Sequence, residues 1–211
     1  EVVFEGSHLL LSTELDCLAE ELDLKKPAAV IVELPSNPML ECVDLPKVAK
    51  LAHERGIPLI ADDTIGSPLN IDVFPYADVV FSSLTKTFAG RGDILAGSLV
   101  ISPNSQWQEH LLEKVKTPLA VLSDPDAIAL EEASRDIETR LPQLNAACEK
   151  LAVKLENHPA VSKVLHPSKC KNFQTIMRPG AGYGCLLSIE LHGGLKAAQR
   201  FYDALEVCKG P

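Results

Sequence analysis

The stretch AAVIVELPSNPMLECVDLPKVAKLAHERGIPLIAD, residues 28–62, decides the fold. AAVIVEL (28–34) is a continuous apolar run with β-branched residues, stopped by Pro35. VDLPKVAKLAHERG (43–56) has helical spacing. Val43, Val48, Leu51 and Ala52 share one face, Pro46 suits a first turn, and Gly56 suits a C-terminal stop. IPLIAD (57–62) is a second apolar run. Strands without polar alternation belong to sheets covered on both faces, and a helix between two of them makes a parallel crossover unit. The pattern predicts an α/β fold built on a mainly parallel sheet.

Working outward, ADVVFSS (77–83) and ILAGSLVIS (94–102) read as third and fourth strands. Residues 126–157 carry a long helical pattern interrupted at Pro142. VSKVLHP (161–167) and CLLSIELHG (185–193) read as strands, and GLKAAQRFYDALEV (194–207) as a helix with Leu195, Ala198, Phe201, Tyr202 and Leu205 on one side. The predicted organisation is part of a large domain over 1–125, a connecting long helix over 126–157, and part of a smaller α+β C-terminal domain over 158–211. Neither an internal repeat nor a low-complexity linker is visible. The chain starts without Met and ends CKGP just past a predicted helix, so it is expected to be a fragment lacking both ends.

Composition narrows the function. Hydrophobic residues make up 46% of the 211 and charged residues 23%, an ordinary globular balance. The net charge of −9, with Lys and Arg scattered, argues against binding a nucleic-acid backbone. No apolar run approaches the ~18–20 residues of a membrane span, and no basic-then-apolar leader opens the chain. Six cysteines occur without a C-x-x-C pair, and the six histidines lack ligand spacing, so no metal is expected. Reduced, mostly buried thiols fit a cytoplasmic protein. His110, His158 and His166 are expected on surfaces or caps.

In parallel sheets, ligands sit at the carboxyl ends of strands. Asn37 follows the first strand in ELPSNP, Asp62 closes the second in LIADDT, and Ser83, Thr85 and Lys86 close the third in SSLTK. Taken singly, each has an ordinary reading: a solvated end lysine, a capping Asp, an Asn-Pro turn. Their order and shared strand-end placement carry more. A lysine near apolar walls has a lowered pKa, and its neutral amine condenses with an aldehyde. A carboxylate facing a pyridine nitrogen keeps it protonated, and nearby hydroxyls hold a phosphate. Together these residues describe a pyridoxal 5′-phosphate (PLP) site.

The stretch VELPSNPMLECVDLPKVAKLAHERGIPLIADDTIGSPLNIDVFPYADVVFSSLTKTFAGRGD (32–93) resembles the Cys/Met-metabolism group of fold-type I PLP enzymes. The shared pattern is a glutamate, a proline and NP, then a D-x-T strand end, then S-x-T-K. DDTIG, SSLTKTFAG, GYGCLLSIEL and FYDALEVCKGP are most similar to the fungal cystathionine γ-synthase branch. The resemblance implies an aspartate-aminotransferase-like fold whose 1–125 portion binds PLP. It implies that Lys86 carries the cofactor and shuttles protons, and that Asp62 pairs with the pyridine nitrogen. Ser83 and Thr85 would contact the phosphate, and Asn37 would lie beside the ring or the substrate carboxylate. The implied activity is transsulfuration in methionine biosynthesis: γ-replacement on an O-acylhomoserine by cysteine, with small amino-acid substrates and a homo-oligomeric enzyme, dimer or tetramer. Cystathionine lyase, O-acylhomoserine sulfhydrylase and a non-catalytic or regulatory remnant are the alternatives.

Departures from the family pattern are Ala96-Gly97 where two glycines are usual, and the loop GRGDILAG (90–97). Other motifs are weaker. Ser83-Leu84-Thr85-Lys86 is formally S-x-x-K, but an apolar strand leads into the serine and no S-D-N or K-T-G accompanies it. GAGYG (180–184) precedes a strand rather than a helix and reads as a turn. RGD (91–93) falls in the expected active-site loop.

Overall fold

The computed structural model describes residues 15–116 and 121–207. Its centre is a four-stranded sheet, ordered β1 (Val30–Glu33), β2 (Leu59–Asp62), β3 (Val79–Ser83) and β4 (Gly97–Ile101). β1, β2 and β3 run parallel, and β4 returns antiparallel to β3. Helix α2 (Leu45–His53) makes the crossover from β1 to β2. Asp44 caps it by accepting from the Lys47 amide at 3.1 Å, and Pro46 occupies the first turn, where it lacks only a hydrogen bond the helix would not form anyway.

α2 and α1 (Leu15–Lys25) cover one face of this sheet. Leu18 and Leu22 of α1, and Leu45, Val48 and Ala52 of α2, pack with Val32, Leu59, Ala61 and Val80. Arg55 ties the two helices together by a two-pronged contact with Asp23 at 2.8 and 2.9 Å. The other face is more open than apolar runs suggest: Ile31 is 53% and Leu99 54% exposed. Helix α1 was not among the elements expected from the sequence.

Beyond β4 come α3 (Gln108–Val115), α4 (Asp124–Ser134) and α5 (Ile137–Glu156). The helical pattern of 126–157 therefore breaks at Arg135-Asp136, whereas Pro142 lies inside α5. A proline there removes one helical hydrogen bond but leaves the rest of the turn intact. The break falls instead where Arg140 reaches back to the Ala133 carbonyl and the Asp136 carboxylate. α5 then packs Ala152 and Leu155 on an antiparallel pair, β5 (Val161–Leu165) and β6 (Ser188–Leu191). The last helix, α7 (Gly194–Ala204), leaves Leu195, Phe201 and Tyr202 exposed, so the apolar side read from its spacing is uncovered here.

Short helix α6 (Lys171–Thr175) sits within 158–211 yet sends Phe173 and Ile176 into the first core, beside Leu34, Leu45 and Ile71. His166 caps the turn at 167–169 as expected of a cap, but it is buried rather than on the surface. Burial also pushes its pKa down. Of the cysteines, Cys42 and Cys148 are buried, Cys170 and Cys185 half-buried, and Cys17 exposed, so the thiols are less uniformly buried than expected. Cys208 lies outside the described residues. No helix among the described residues is long and apolar enough to cross a membrane.

Asp78, 4% exposed, holds the foot of the sheet. Its carboxylate accepts from the Leu59 amide at 2.8 Å, from Ser105 Oγ at 2.8 Å, and meets His53 Nε2 at 2.9 Å. Truncating Asp78→Ala strands a buried amide and removes all three contacts. Urea unfolding is expected to register a loss of about 2–4 kcal/mol. A loss under about 0.5 kcal/mol, the scale of surface substitutions, would deny Asp78 that role.

Candidate active site

Three strand ends converge at one edge of the sheet. The register sets Glu33 beside Asp62, and Asp62 beside Phe81, two residues before Ser83. Asn37 lies in the turn after β1, with its amide donating to Glu33 Oε2 at 3.0 Å and its side chain exposed. Asp62 is half-buried, and its Oδ1 accepts from the Thr64 amide at 2.9 Å. Asp63, next in the chain, points the other way, as alternation along a strand requires. It is 3% exposed and accepts a hydrogen bond from the Ser82 hydroxyl. Burial pushes its carboxyl above the ordinary range; the Ser82 hydrogen bond opposes this, and the neighbouring Asp62 charge adds to it.

After Ser83 the chain makes a single wide helical turn, Leu84–Phe88. Lys86 sits in it at φ −79° and ψ −126°, outside the helical region, and its side chain is exposed. The desolvated lysine expected from the sequence is thus not what these residues provide: the amine stands in solvent. Thr85 closes the base of the following loop. Its hydroxyl donates to the Ala96 carbonyl at 3.3 Å and accepts from the Ala96 amide at 3.0 Å. Beside this turn lies a cavity of about 200 Å³, walled by Thr64, Ser67, Ser82, Ser83, Thr87 and Ser98 with three apolar or ring residues. Ser83 lines it, while Asp62, Thr85 and Lys86 do not.

Arg140, on α5, fixes the turn from outside. Its guanidinium donates to the carbonyls of Thr87 at 2.8 Å and Phe88 at 2.9 Å, while its Nε meets Asp136 at 2.9 Å. Gly90, at φ +71°, makes room: a Cβ there would lie 2.5 Å from Arg140 Nη1. The donor set fits PLP. It offers an accessible primary amine, a carboxylate one strand away, and a wall of hydroxyls.

Residues 9–209 match the family described as Cys/Met metabolism PLP-dependent enzyme. The chain belongs to that family. Among its relatives, cystathionine gamma-synthase of Neurospora crassa is 36% identical over 204 residues, 94% of this chain and 33% of that protein. The L-2-amino-4-chloropent-4-enoate dechlorinase/desaturase of Streptantibioticus cattleyicolor is 38% identical, over 87% of this chain and 37% of that protein. The crystal structure of cystathionine gamma synthase from Xanthomonas oryzae pv. oryzae, in complex with aminoacrylate and cysteine, is similar with a TM-score of 0.77. It is 26% identical, over 92% of this chain and 50% of that one. The α/β architecture is therefore that of the family's PLP-dependent cystathionine synthases and lyases. The chain spans about a third of the length of the curated relatives it matches.

Sequence reading placed Thr64 only as the last letter of the D-x-T strand end, and did not single out Ser82, Asp63 or Arg140. The second Asp of DDT offered a signal, since a strand end with two carboxylates must bury one of them. What the motif did not show is the Thr64 hydroxyl's role, accepting from the Ser83 amide at 2.8 Å across the strand ends. Arg140 lies more than fifty residues from the carbonyls it holds and gives no local signal.

Two outcomes test this geometry. Arg140→Met keeps the aliphatic stem and removes the guanidinium. Amide exchange at Ala89 and Gly90 is expected to speed up and stability to fall by about 2–3 kcal/mol; unchanged exchange would mean the turn holds itself. Asp63→Asn addresses the buried carboxyl. A carboxyl whose folded pKa is raised favours folding while protonated and loses that contribution as pH rises through the folded pKa. Urea midpoints of the variant and natural sequence should therefore lie closest below about pH 4 and diverge toward neutral pH, the variant being the more stable. A gap that shrinks as pH rises would reverse the assignment.

Proposed function

We propose that this chain carries the lysine-bearing half of a PLP-dependent transsulfuration site. The protein it belongs to would replace the γ-acyl group of an O-acylhomoserine with the thiol of cysteine. The observation that carries this reading is the side-by-side placement of Asp62 and the Ser83–Lys86 segment on adjacent parallel strands. Family membership supports the cofactor, and the Neurospora relative's name supports the reaction.

Bound PLP supplies an aldehyde that takes up amines and a ring that draws electrons from the carbon beside them. Lys86 Nζ would hold the cofactor and would accept and return protons at that nitrogen. The Asp62 carboxylate, oriented by the Thr64 amide, would hold a proton on the ring nitrogen. Ser83 and Thr85 offer hydroxyls to the phosphate, and Thr85 would share its hydroxyl with Ala96. Asn37 offers its exposed amide to the ring edge or the substrate carboxylate. In the net reaction a C–O bond breaks at Cγ, a C–S bond forms there, and a carboxylic acid leaves. The active form is proposed to be a homo-oligomer.

A second reading is elimination rather than replacement. It is favoured by the dechlorinase/desaturase relative and by a structural neighbour described as a methionine gamma lyase.

Borohydride reduction after addition of PLP is the direct test. The label is expected on the peptide bearing Lys86, and Lys86→Ala should abolish both it and the visible absorption band. Label spread evenly over surface lysines would remove the assignment. With the full-length protein, an O-acylhomoserine and cysteine, cystathionine as product supports replacement. A 2-oxo acid and ammonia formed without cysteine would give the elimination reading precedence.

A further inference from the structure

Away from the Lys86 turn, two cysteines meet. Cys42 lies in the segment between β1 and α2, and Cys170 lies in the turn just before α6, 128 residues later. The Cys42 amide donates to Cys170 Sγ at 3.2 Å, and Cys170 Sγ is 3.9 Å from the Cys42 carbonyl. Asn172 braces the same carbonyl at 2.9 Å. The pair lines a cleft of about 520 Å³, together with Lys163, Lys169, Lys171 and His166. Cys42 is 2% exposed, while Cys170 is half-buried at the cleft wall, so a small molecule entering the cleft meets Cys170.

The two sulfurs differ in chemistry. The Cys42 thiol, and then the backbone amides of Cys42, Phe173 and Asn172, hold the Cys170 thiol down to about 6 against the opposing effect of burial. The neighbouring Cys170, and then burial, push the Cys42 thiol well above its ordinary range. Cys170 is the sulfur poised to attack, and Cys42 is the partner beside it.

We propose that Cys42 and Cys170 form a reversible redox pair, with Cys170 the attacking sulfur and hydrogen peroxide the oxidant. Cys170 sulfur displaces hydroxide from the peroxide as the O–O bond breaks, giving a sulfenic acid and, after protonation, water. Cys42 sulfur then attacks the sulfenic sulfur, its proton leaves with the hydroxyl as a second water, and an S–S bond closes. Two electrons pass from the two thiols to the peroxide. The cross-link ties the segment that bears Asn37 to the turn before α6. A dithiol reductant returns both thiols by exchange. None of this requires the cofactor, so the cofactor reading and this one stand or fall separately.

The test uses the whole chain, without PLP, exposed to sub-millimolar hydrogen peroxide and followed by intact mass and peptide mapping. The expected result is a loss of two hydrogens, a linked peptide joining Cys42 to Cys170 ahead of any other, and full reversal by dithiothreitol. Cys42→Ser should leave a sulfenic acid on Cys170 that dimedone captures. Cys170→Ser should give neither the cross-link nor a dimedone adduct on Cys42. Oxidation of Cys17 or Cys185 before Cys170 would overturn the proposal, as would a different disulfide forming first. So would Cys170 passing to sulfinic acid with the Cys42 thiol intact.

Discussion

Hydrogen bonds between β2 and β3 fix the candidate site, because they set which carboxylate stands level with which part of the Lys86 segment. The pairing is anchored at both ends. At the foot, Asp78 accepts from the Leu59 amide through its side chain and donates to the Leu59 carbonyl through its own amide. At the top, the Asp63 amide reaches the Phe81 carbonyl at 3.2 Å, and Ser83 donates to the Thr64 hydroxyl. A slip of one residue would exchange Asp62 for Asp63 on the crevice side, since strand side chains alternate. It would also bury the carboxylate that now meets solvent. Adjacent aspartates thus make the register a chemical choice as well as a packing one. Ser82, bonded to the buried Asp63, stabilises the observed one.

The lysine turn depends on a different kind of support. Nothing in residues 84–96 forms a regular element long enough to stand alone. Its base is closed by Thr85 and Ala96, its middle is held by two carbonyl contacts from Arg140, and Ala89 and Ile94 are buried beneath it. A guanidinium presents several donors in a fixed fork, so one side chain can hold two successive carbonyls and still pair with Asp136. That geometry also explains why α4 and α5 part at Asp136, as Arg140 occupies the inside of the bend.

Much of this was legible in the sequence. The three parallel strands, the crossover helix with its Pro46 start, and the two strands near the C-terminal end all follow from local apolar runs and turn residues. The strand ends bearing Asn37, Asp62, Ser83 and Lys86 were legible for the same reason: they are set by where an apolar run stops. What escaped was set by contacts distant in sequence. The bend at Asp136, the burial of His166 and the clamp by Arg140 each rest on partners in other elements. The expected desolvation of Lys86 was an inference from apolar neighbours in the chain. In space, Leu84 and Phe88 are half-buried along the neighbouring cavity and the lysine turns out to solvent.

The segment after β1 shows how far such distant contacts reach. Asn37 belongs to the sheet by sequence, yet the segment around it is secured by residues from the C-terminal third. Ser188 donates to the Pro38 carbonyl at 2.7 Å, Asn172 to that of Cys42, and Phe173 fills the core beneath. Nearby, Asn145 of α5 and Asn70 exchange hydrogen bonds while buried, and the Gly182 amide joins them at 3.3 Å. A side chain at Gly182 would place its Cβ 2.6 Å from that of Asn145, so the close approach is open only to glycine. The glycine-rich stretch 180–184, read from the sequence as a turn, therefore also serves packing. The C-terminal residues act on the site through the backbone they hold in place, and a change there can move Asn37 without touching any group at the strand ends.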